Sequence, residues 1–397
     1  MRWIWFRPPP PSDDSWGEAR PASTDGLGHL RHTFSLDETP AAARCRATAD
    51  GRYELWVNGT RVGRGPARSD PSLLAYDEYD IAPLLRAGPN VVAALVRHYG
   101  RPTLWWVPAH PDGELGFGSF LLDATIAGRG GETRIESGPG WKARPAATTT
   151  VEPAHARVKF APPETEGPPP LEIVDGASVP WGWIHPSYDD EDWADAYVMG
   201  EASFDALDPR GTPTLEPRGV APIAVVGQGP AGPAHAHPLA AIDADLAGTR
   251  CDEEPHTSLT QNRWITYDMG EIVNGHPFVA LDAGAGAIFD LACGEDMTAD
   301  GKPVTAPREW AMRVVAGGHD GERHESFEAV GFRYLSIAAR TENASAVSVG
   351  ATEMLAPRTR GAYFRCSDPA LEEIWSTGAR TVDLCTTDAF IDCPGRE

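Results

Sequence analysis

Apolar and polar positions alternate in short runs along most of this chain, and turn residues separate the runs at close intervals. Residues 41–65 show the pattern most clearly. Ala43 to Ala49, Tyr53 to Val57 and Thr60 to Val62 read as three strands divided by Asp50-Gly51 and Asn58-Gly59. Asp-Gly and Asn-Gly accept the positive φ values that two-residue hairpins require. Tyr76 to Ile81 then leads into a short helical turn around Pro83-Leu84-Leu85, with strands predicted at Asn90 to Arg97 and Phe117 to Ile126. The periodicity is lost in a Pro-rich stretch at 145–170, read as a long excursion. Residues 181–196, with Trp181, Trp183, Tyr188, Asp189, Asp190, Asp192 and Trp193, read as an aromatic and acidic loop that returns to the same body. This is the pattern of an antiparallel β-sandwich, assigned to residues 1–226.

Residues 227–262 are rich in Gly, Pro, His and Asp and are expected to be a linker. A second strand series follows: Trp264 to Met269, Pro277 to Leu281, Ala287 to Ala292, His324 to Phe327, Phe332 to Ala338 and Ala346 to Glu353. A hairpin-like segment lies at Glu295 to Gly301. A second sandwich is therefore assigned to 263–355. At Cys366 the period changes. Ser367 is the expected N-cap, Pro369 suits the first helical turn, and Glu372 and Glu373 favour the positive end of the helix dipole. Leu371, Ile374, Trp375, Gly378, Val382 and Cys385 recur at i, i+3, i+4 spacing, which predicts an amphipathic helix. It should end before Asp392-Cys393-Pro394, because proline disfavours helix in the residue preceding it. Residues 356–397 thus read as the start of a helical domain. The fold class is mainly β, with two antiparallel β-sandwich (jelly-roll-like) domains followed by a first helix.

Composition supports that class. The 397 residues are too many for one ordinary domain, and 41 Gly and 37 Pro punctuate the chain too often for a mainly helical protein. A net charge of −23 argues against nucleic acid or an anionic membrane as a partner, since both call for basic patches. The six cysteines are scattered without a CxxC pair, which fits neither a disulfide framework nor a zinc site. The N-terminal apolar run is too short for a signal peptide, and no segment approaches the roughly 18 apolar residues of a membrane span. A cytoplasmic location is the expectation.

Several local motifs carry chemistry on paper. Gly227-Gln228-Gly229-Pro230-Ala231-Gly232 matches a dinucleotide fingerprint, but Pro230 and Pro233 stand where a helix should open to hold a pyrophosphate. His235-Ala236-His237 with Asp243 and Asp245 has metal-ligand composition, yet it falls in a Pro-rich stretch and reads as solvated. Trp181, Trp183, Trp105 and Trp106 could stack on sugars but read as buried sandwich aromatics. Asp189-Asp190-Glu191-Asp192 reads as a solvated loop rather than a calcium site. No metal or cofactor is assigned. Asp392, Arg396 and Glu397 remain: two carboxylates and a guanidinium in six positions, suited to gripping and protonating a polyol, or to a helix-end ion pair.

Taken in order, these segments resemble the bacterial α-L-rhamnosidases of glycoside hydrolase family 78. Ala47 to Asn58-Gly59, with Gly63-Arg64-Gly65-Pro66 and Tyr79-Asp80-Ile81 through Asn90-Val91-Val92, is similar to that family's N-terminal sandwich. Tyr188 to Trp193 resembles its "DDSxW" loop. Tyr267-Asp268-Met269-Gly270, Gly275, Gly294-Glu295 and Phe327 to Tyr334 resemble the second sandwich. Phe364 to Pro369 through Ile374-Trp375 resembles the entry into an (α/α)6 barrel, and Asp392-Cys393-Pro394-Gly395-Arg396-Glu397 resembles the "DCPxRE" catalytic motif. The resemblance implies that Glu397 is the general acid of an inverting mechanism, and that Asp392 and Arg396 bind rhamnose hydroxyls. The substrate it implies is a rhamnose-containing glycoside or oligosaccharide. The general base and the rest of the barrel would lie beyond residue 397, so this chain by itself is expected to be an inactive fragment. The alternatives are another (α/α)6-barrel glycosidase with a different sugar, or a non-catalytic carbohydrate-binding or scaffold protein.

Overall fold

The computed structural model describes residues 1–8, 25–70, 72–100, 103, 106, 115–151, 171–247, 262–297, 303–304, 310–357 and 361–394. They form two compact units, Met1–Ala146 with Pro180–Thr214, and Ala147–Val179 with Leu215–Glu397. Both are built of strands, so the chain is mainly β.

Among the described residues, the first unit holds two sheets. One runs in the order Tyr197–Glu201, Arg2–Trp5, Phe120–Gly128, Ala42–Ala49, Ala75–Asp80 and Asp208–Pro209, with Gly131–Glu136 paired to Phe120–Gly128. The other runs Ala194–Asp195, Lys142–Pro145, Gly26–Leu36, Gly88–His98, Arg52–Val57 and Thr60–Gly65. Phe120 from the first sheet meets Tyr53 from the second, and Trp141 just before its strand Lys142–Pro145, edge to face at 5.7 and 6.0 Å between ring centroids. These rings lie in the core between the sheets with Ile4, Leu55, Val92 and Leu122. In Gly88–His98, Val92, Ala94 and Val96 point into that core, while Val91 and Ala93 lie under Trp183 and Trp193 on the outer face. Burial on both faces explains why this strand reads as an unbroken apolar run.

The two turns of residues 41–65 behave differently. Asn58 and Gly59 take φ of 51° and 86°, and they close a true hairpin between Arg52–Val57 and Thr60–Gly65. Asp50-Gly51 closes no hairpin. Ala42–Ala49 pairs with Phe120–Gly128 and Ala75–Asp80, whereas Arg52–Val57 pairs with Gly88–His98 in the opposing sheet. The turn is an arch between sheets, held by what surrounds it. The Asp50 carboxylate accepts from the amides of Gly116 and Gly118 at 2.7 and 3.1 Å, and its carbonyl bonds His98 Nδ1 at 3.0 Å. A Cβ on Gly51, at φ 133°, would collide with the Arg97 carbonyl.

Among the described residues, the second unit has a ten-stranded sheet whose interior encloses its main core. Its axis is the strand Arg263–Leu281, expected as two strands but continuous here. Residues 263–268 lie between Ala224–Pro230 and Val330–Ala339, while residues 278–280 lie between Ala346–Leu355 and Arg323–Glu325. The strand changes partners across an irregularity between Asp268 and Val273, where Gly270 has φ 86°. Ile265, Val279, Phe289, Leu335 and Val349 therefore share one interior. The hairpin expected near Glu295 is present as Asp296–Met297 paired with Pro303–Val304.

The stretch 227–262, expected to be a linker, contains the end of strand Ala224–Pro230 and helix α1, Pro238–Ala247; residues 248–261 fall outside the described set. Leu239, Ile242 and Leu246 of α1 pack on Trp264, Ala292, Ala311 and Ala338. Beneath the helix lies a buried charge cluster. Asp290 takes Arg313 at 2.6 and 2.9 Å and Arg340 at 2.9 Å, and Arg340 also pairs with Asp245 of α1. The Gly and Pro content had hidden an element whose three apolar residues are spaced for one helical face.

Candidate functional site

The residues singled out for chemistry follow helix α2, Pro369–Leu384, in the second unit. Its N-cap is Asp368 rather than the expected Ser367. The Asp368 carboxylate accepts from the Ala370 amide at 3.0 Å, because Pro369 fills the first helical position and shifts the cap to the residue before it. Glu372 reaches back to the Cys366 amide at 2.9 Å, in the manner of a capping box. The apolar face read from the sequence exists, but Leu371, Ile374 and Val382 are 48%, 67% and 62% exposed. Of the helix, Leu384 is the buried residue.

A few polar contacts therefore hold α2 to the strands. The Asn274 side chain donates to the Leu384 carbonyl at 3.0 Å. Arg380 donates to the Ile272 carbonyl at 3.0 Å and to the fully buried Glu353 at 2.7 Å, and pairs with Glu271 at 3.1 Å. After the helix the chain turns back on itself: Thr386 bridges Phe390, and the Ile391 amide donates to the Cys385 carbonyl at 3.0 Å. Pro394 then lies against the start of strand Val330–Ala339, so closely that a Cβ on Gly331 would come within 2.5 Å of the Pro394 carbonyl oxygen. Gly331 thus belongs to the docking of this segment.

Of the three expected site residues, Asp392 is described and its side chain is exposed, while Arg396 and Glu397 lie outside the described residues. Asp392 is presented from a fixed base, between the Cys385–Ile391 hydrogen bond and the Pro394–Gly331 contact. The other chemical motifs resolve into structure. Gly227 and Gly229 are strand residues paired with Thr266 and Trp264. Among the described residues, no three His, Cys, Asp or Glu side chains come together to hold a metal ion. Trp183 and Trp106 are buried and Trp181 is half-buried; Trp105 lies outside the described set. The acidic loop of the first unit closes on Arg31: Asp190 pairs with that buried guanidinium, which also donates to the His185 carbonyl at 3.1 Å and lies over the Tyr188 ring. Sequence reasoning missed Asn274, Glu353 and Arg380. Their only signal was polar residues inside otherwise apolar or amphipathic runs.

The described fold is two β units, the second ending in helix α2 and the turn that carries Asp392. Residues 38–216 match the family model "alpha-L-rhamnosidase N-terminal domain". A curated relative from Streptomyces avermitilis, an α-L-rhamnosidase, is 25% identical over 374 residues, covering 91% of this chain and 31% of its own. The fold matches the rhamnosidase of glycoside hydrolase family 78 from Bacillus sp. GL1 with a TM-score of 0.77 at 18% identity, covering 100% of this chain and 59% of the other. It matches the Streptomyces avermitilis α-L-rhamnosidase solved with L-rhamnose with a TM-score of 0.69 at 21% identity, covering 96% and 33%. Over residues 38–216 the chain is similar to the α-L-rhamnosidase N-terminal domain, and its fold is that of the solved rhamnosidases. It spans about a third of the length of the curated relative.

Proposed function

We propose that these 397 residues are the N-terminal part of an inverting α-L-rhamnosidase that removes terminal α-L-rhamnose from glycosides. In this reading Glu397 protonates the departing glycosidic oxygen, while Asp392 and Arg396 hold the sugar hydroxyls and shape the acid's surroundings. The general base, a carboxylate about 6.5–9.5 Å from the acid with water between, comes from sequence outside these residues. What supports the reading is the likeness to α-L-rhamnosidases, together with the anchoring of α2 by Asn274 and Arg380 and of Pro394 against Gly331 just before the motif's last residues. A general acid works only if it is held within hydrogen-bond reach of the leaving oxygen. The relatives' substrate supplies the sugar.

The test is Glu397→Gln in the polypeptide that joins these residues to the rest of a catalytic domain. Removing a general acid costs about 10²–10⁴-fold in kcat/KM on an alkyl or flavonoid rhamnoside. The loss should be far smaller on a dinitrophenyl rhamnoside, whose leaving group needs no proton. Equal losses on both substrates would remove Glu397 from that role. If the sugar assignment is right, the parent polypeptide should cleave aryl α-L-rhamnosides and leave other aryl glycosides intact. The 397-residue chain alone should release no rhamnose.

A further inference from the structure

We infer that Cys385 and Cys393 form a reversible disulfide that ties the end of α2 to the chain carrying Asp392. This goes beyond the glycosidase reading and does not depend on it. Both cysteines are half-buried thiols. The chain turns back after α2 so that Cys385 lies opposite Ile391, with the Ile391 amide on the Cys385 carbonyl at 3.0 Å. Cys393 is two residues beyond that partner, in the bend that follows it. Cys385 Sγ lies 3.7 Å from the carbonyl oxygen of Asp392, the oxygen of the peptide bond that leads into Cys393. Peptide geometry separates that oxygen from the next Cα by about 2.8 Å, so Sγ is within about 6.5 Å of the Cys393 Cα. A disulfide needs Cα atoms about 4.4–6.8 Å apart; movement of the bend at 392–393 sets that separation, and side-chain rotation then brings the two sulfurs together. The two thiols already sense one another: the Cys385 thiol is pushed up by its burial and then by Cys393 and Asp392.

The chemistry is exchange with a small disulfide such as oxidised glutathione. One protein thiolate attacks it, expelling a glutathione thiolate and leaving a mixed disulfide. The second protein thiolate attacks the protein sulfur of that bond and expels the second glutathione. The balance is one protein dithiol and one small disulfide giving one protein disulfide and two small thiols. The other described cysteines are poorly suited. Cys45 and Cys293 are fully buried, and Cys366 turns its Sγ to the Asp368 carbonyl at 3.2 Å.

The test treats the folded 397-residue chain with oxidised glutathione, quenches in acid, alkylates and digests with trypsin. Thr381 to Arg396 is one tryptic peptide containing both cysteines. The expected product is that peptide two hydrogens lighter than its reduced form, unalkylated, with no backbone fragments between the cysteines until reduction. It should form with an effective concentration at least tenfold higher in the folded chain than in urea. Cys393→Ser should leave a persistent glutathione adduct on Cys385, and Cys366→Ser should change nothing. Stable glutathione adducts on both cysteines of the parent chain, disulfides to Cys366, or equal effective concentrations folded and unfolded would each overturn the inference.

Discussion

Arg380→Ala tests how α2 is held. Arg380 links the helix to the second β unit through the Ile272 carbonyl at 3.0 Å, Glu353 at 2.7 Å and Glu271 at 3.1 Å. Glu271 is half-exposed, so that pair contributes at most about 1 kcal/mol. Glu353 has no exposure, and after truncation its remaining cation is Arg218, 3.8 Å away and itself half-exposed. Breaking a buried pair by deleting one partner costs about 3–5 kcal/mol, and the Arg218 contact places the expected loss near the lower end, about 3 kcal/mol. Because Leu384 is the buried residue of the helix, this loss should appear as local detachment before global unfolding. Hydrogen exchange read by mass spectrometry over residues 369–394 should accelerate about a hundredfold, since each 1.4 kcal/mol is a factor of ten. Adding Glu353→Gln removes the stranded charge and should return about 1–2 kcal/mol of that loss. Exchange within twofold of the parent in Arg380→Ala would refute the anchoring argument.

Two further outcomes concern the β units. Asp290 neutralises two buried guanidiniums, so Asp290→Asn should destabilise the second unit by about 3–5 kcal/mol in urea unfolding, well beyond a surface change. His29 is buried against Trp183, and burial foremost, then Arg144, lowers its pKa from 6.5 to about 3. Between those values the unfolded chain binds a proton that the folded chain refuses, so stability falls as pH drops below 6.5 and this effect saturates near 3. In His29→Gln the melting temperature of the first unit should fall less between pH 7 and 4 than in the parent; parallel curves would contradict the assignment.

What could be read from the sequence follows from how local each cause is. The Asn58-Gly59 hairpin was legible because two adjacent residues set its backbone. The Asp50-Gly51 arch was not, because its strands choose partners far along the chain and its carboxylate is satisfied by Gly116 and Gly118. Helix α1 was masked by flanking Gly and Pro, and the bend in Arg263–Leu281 by a turn-like Gly270 that the strand passes through. The amphipathic period of α2 was read correctly, yet Ile374 and Val382 lie exposed among the described residues. Periodicity states that a face is apolar; it does not state what covers it. The motif at 392–397 stood out because its charged residues fall within six positions of sequence, while Asn274, Glu353 and Arg380 come from separate elements that only folding brings together.

The most direct measurement of the central claim is the anomeric form of the first sugar released. Proton NMR should follow hydrolysis of an aryl α-L-rhamnoside by the catalytic polypeptide that carries these residues, with its Glu397→Gln variant alongside. The account predicts that β-L-rhamnose appears first and mutarotates later, and that the variant releases almost none from a substrate with a poor leaving group. First appearance of α-L-rhamnose, or undiminished release by the variant, would contradict it.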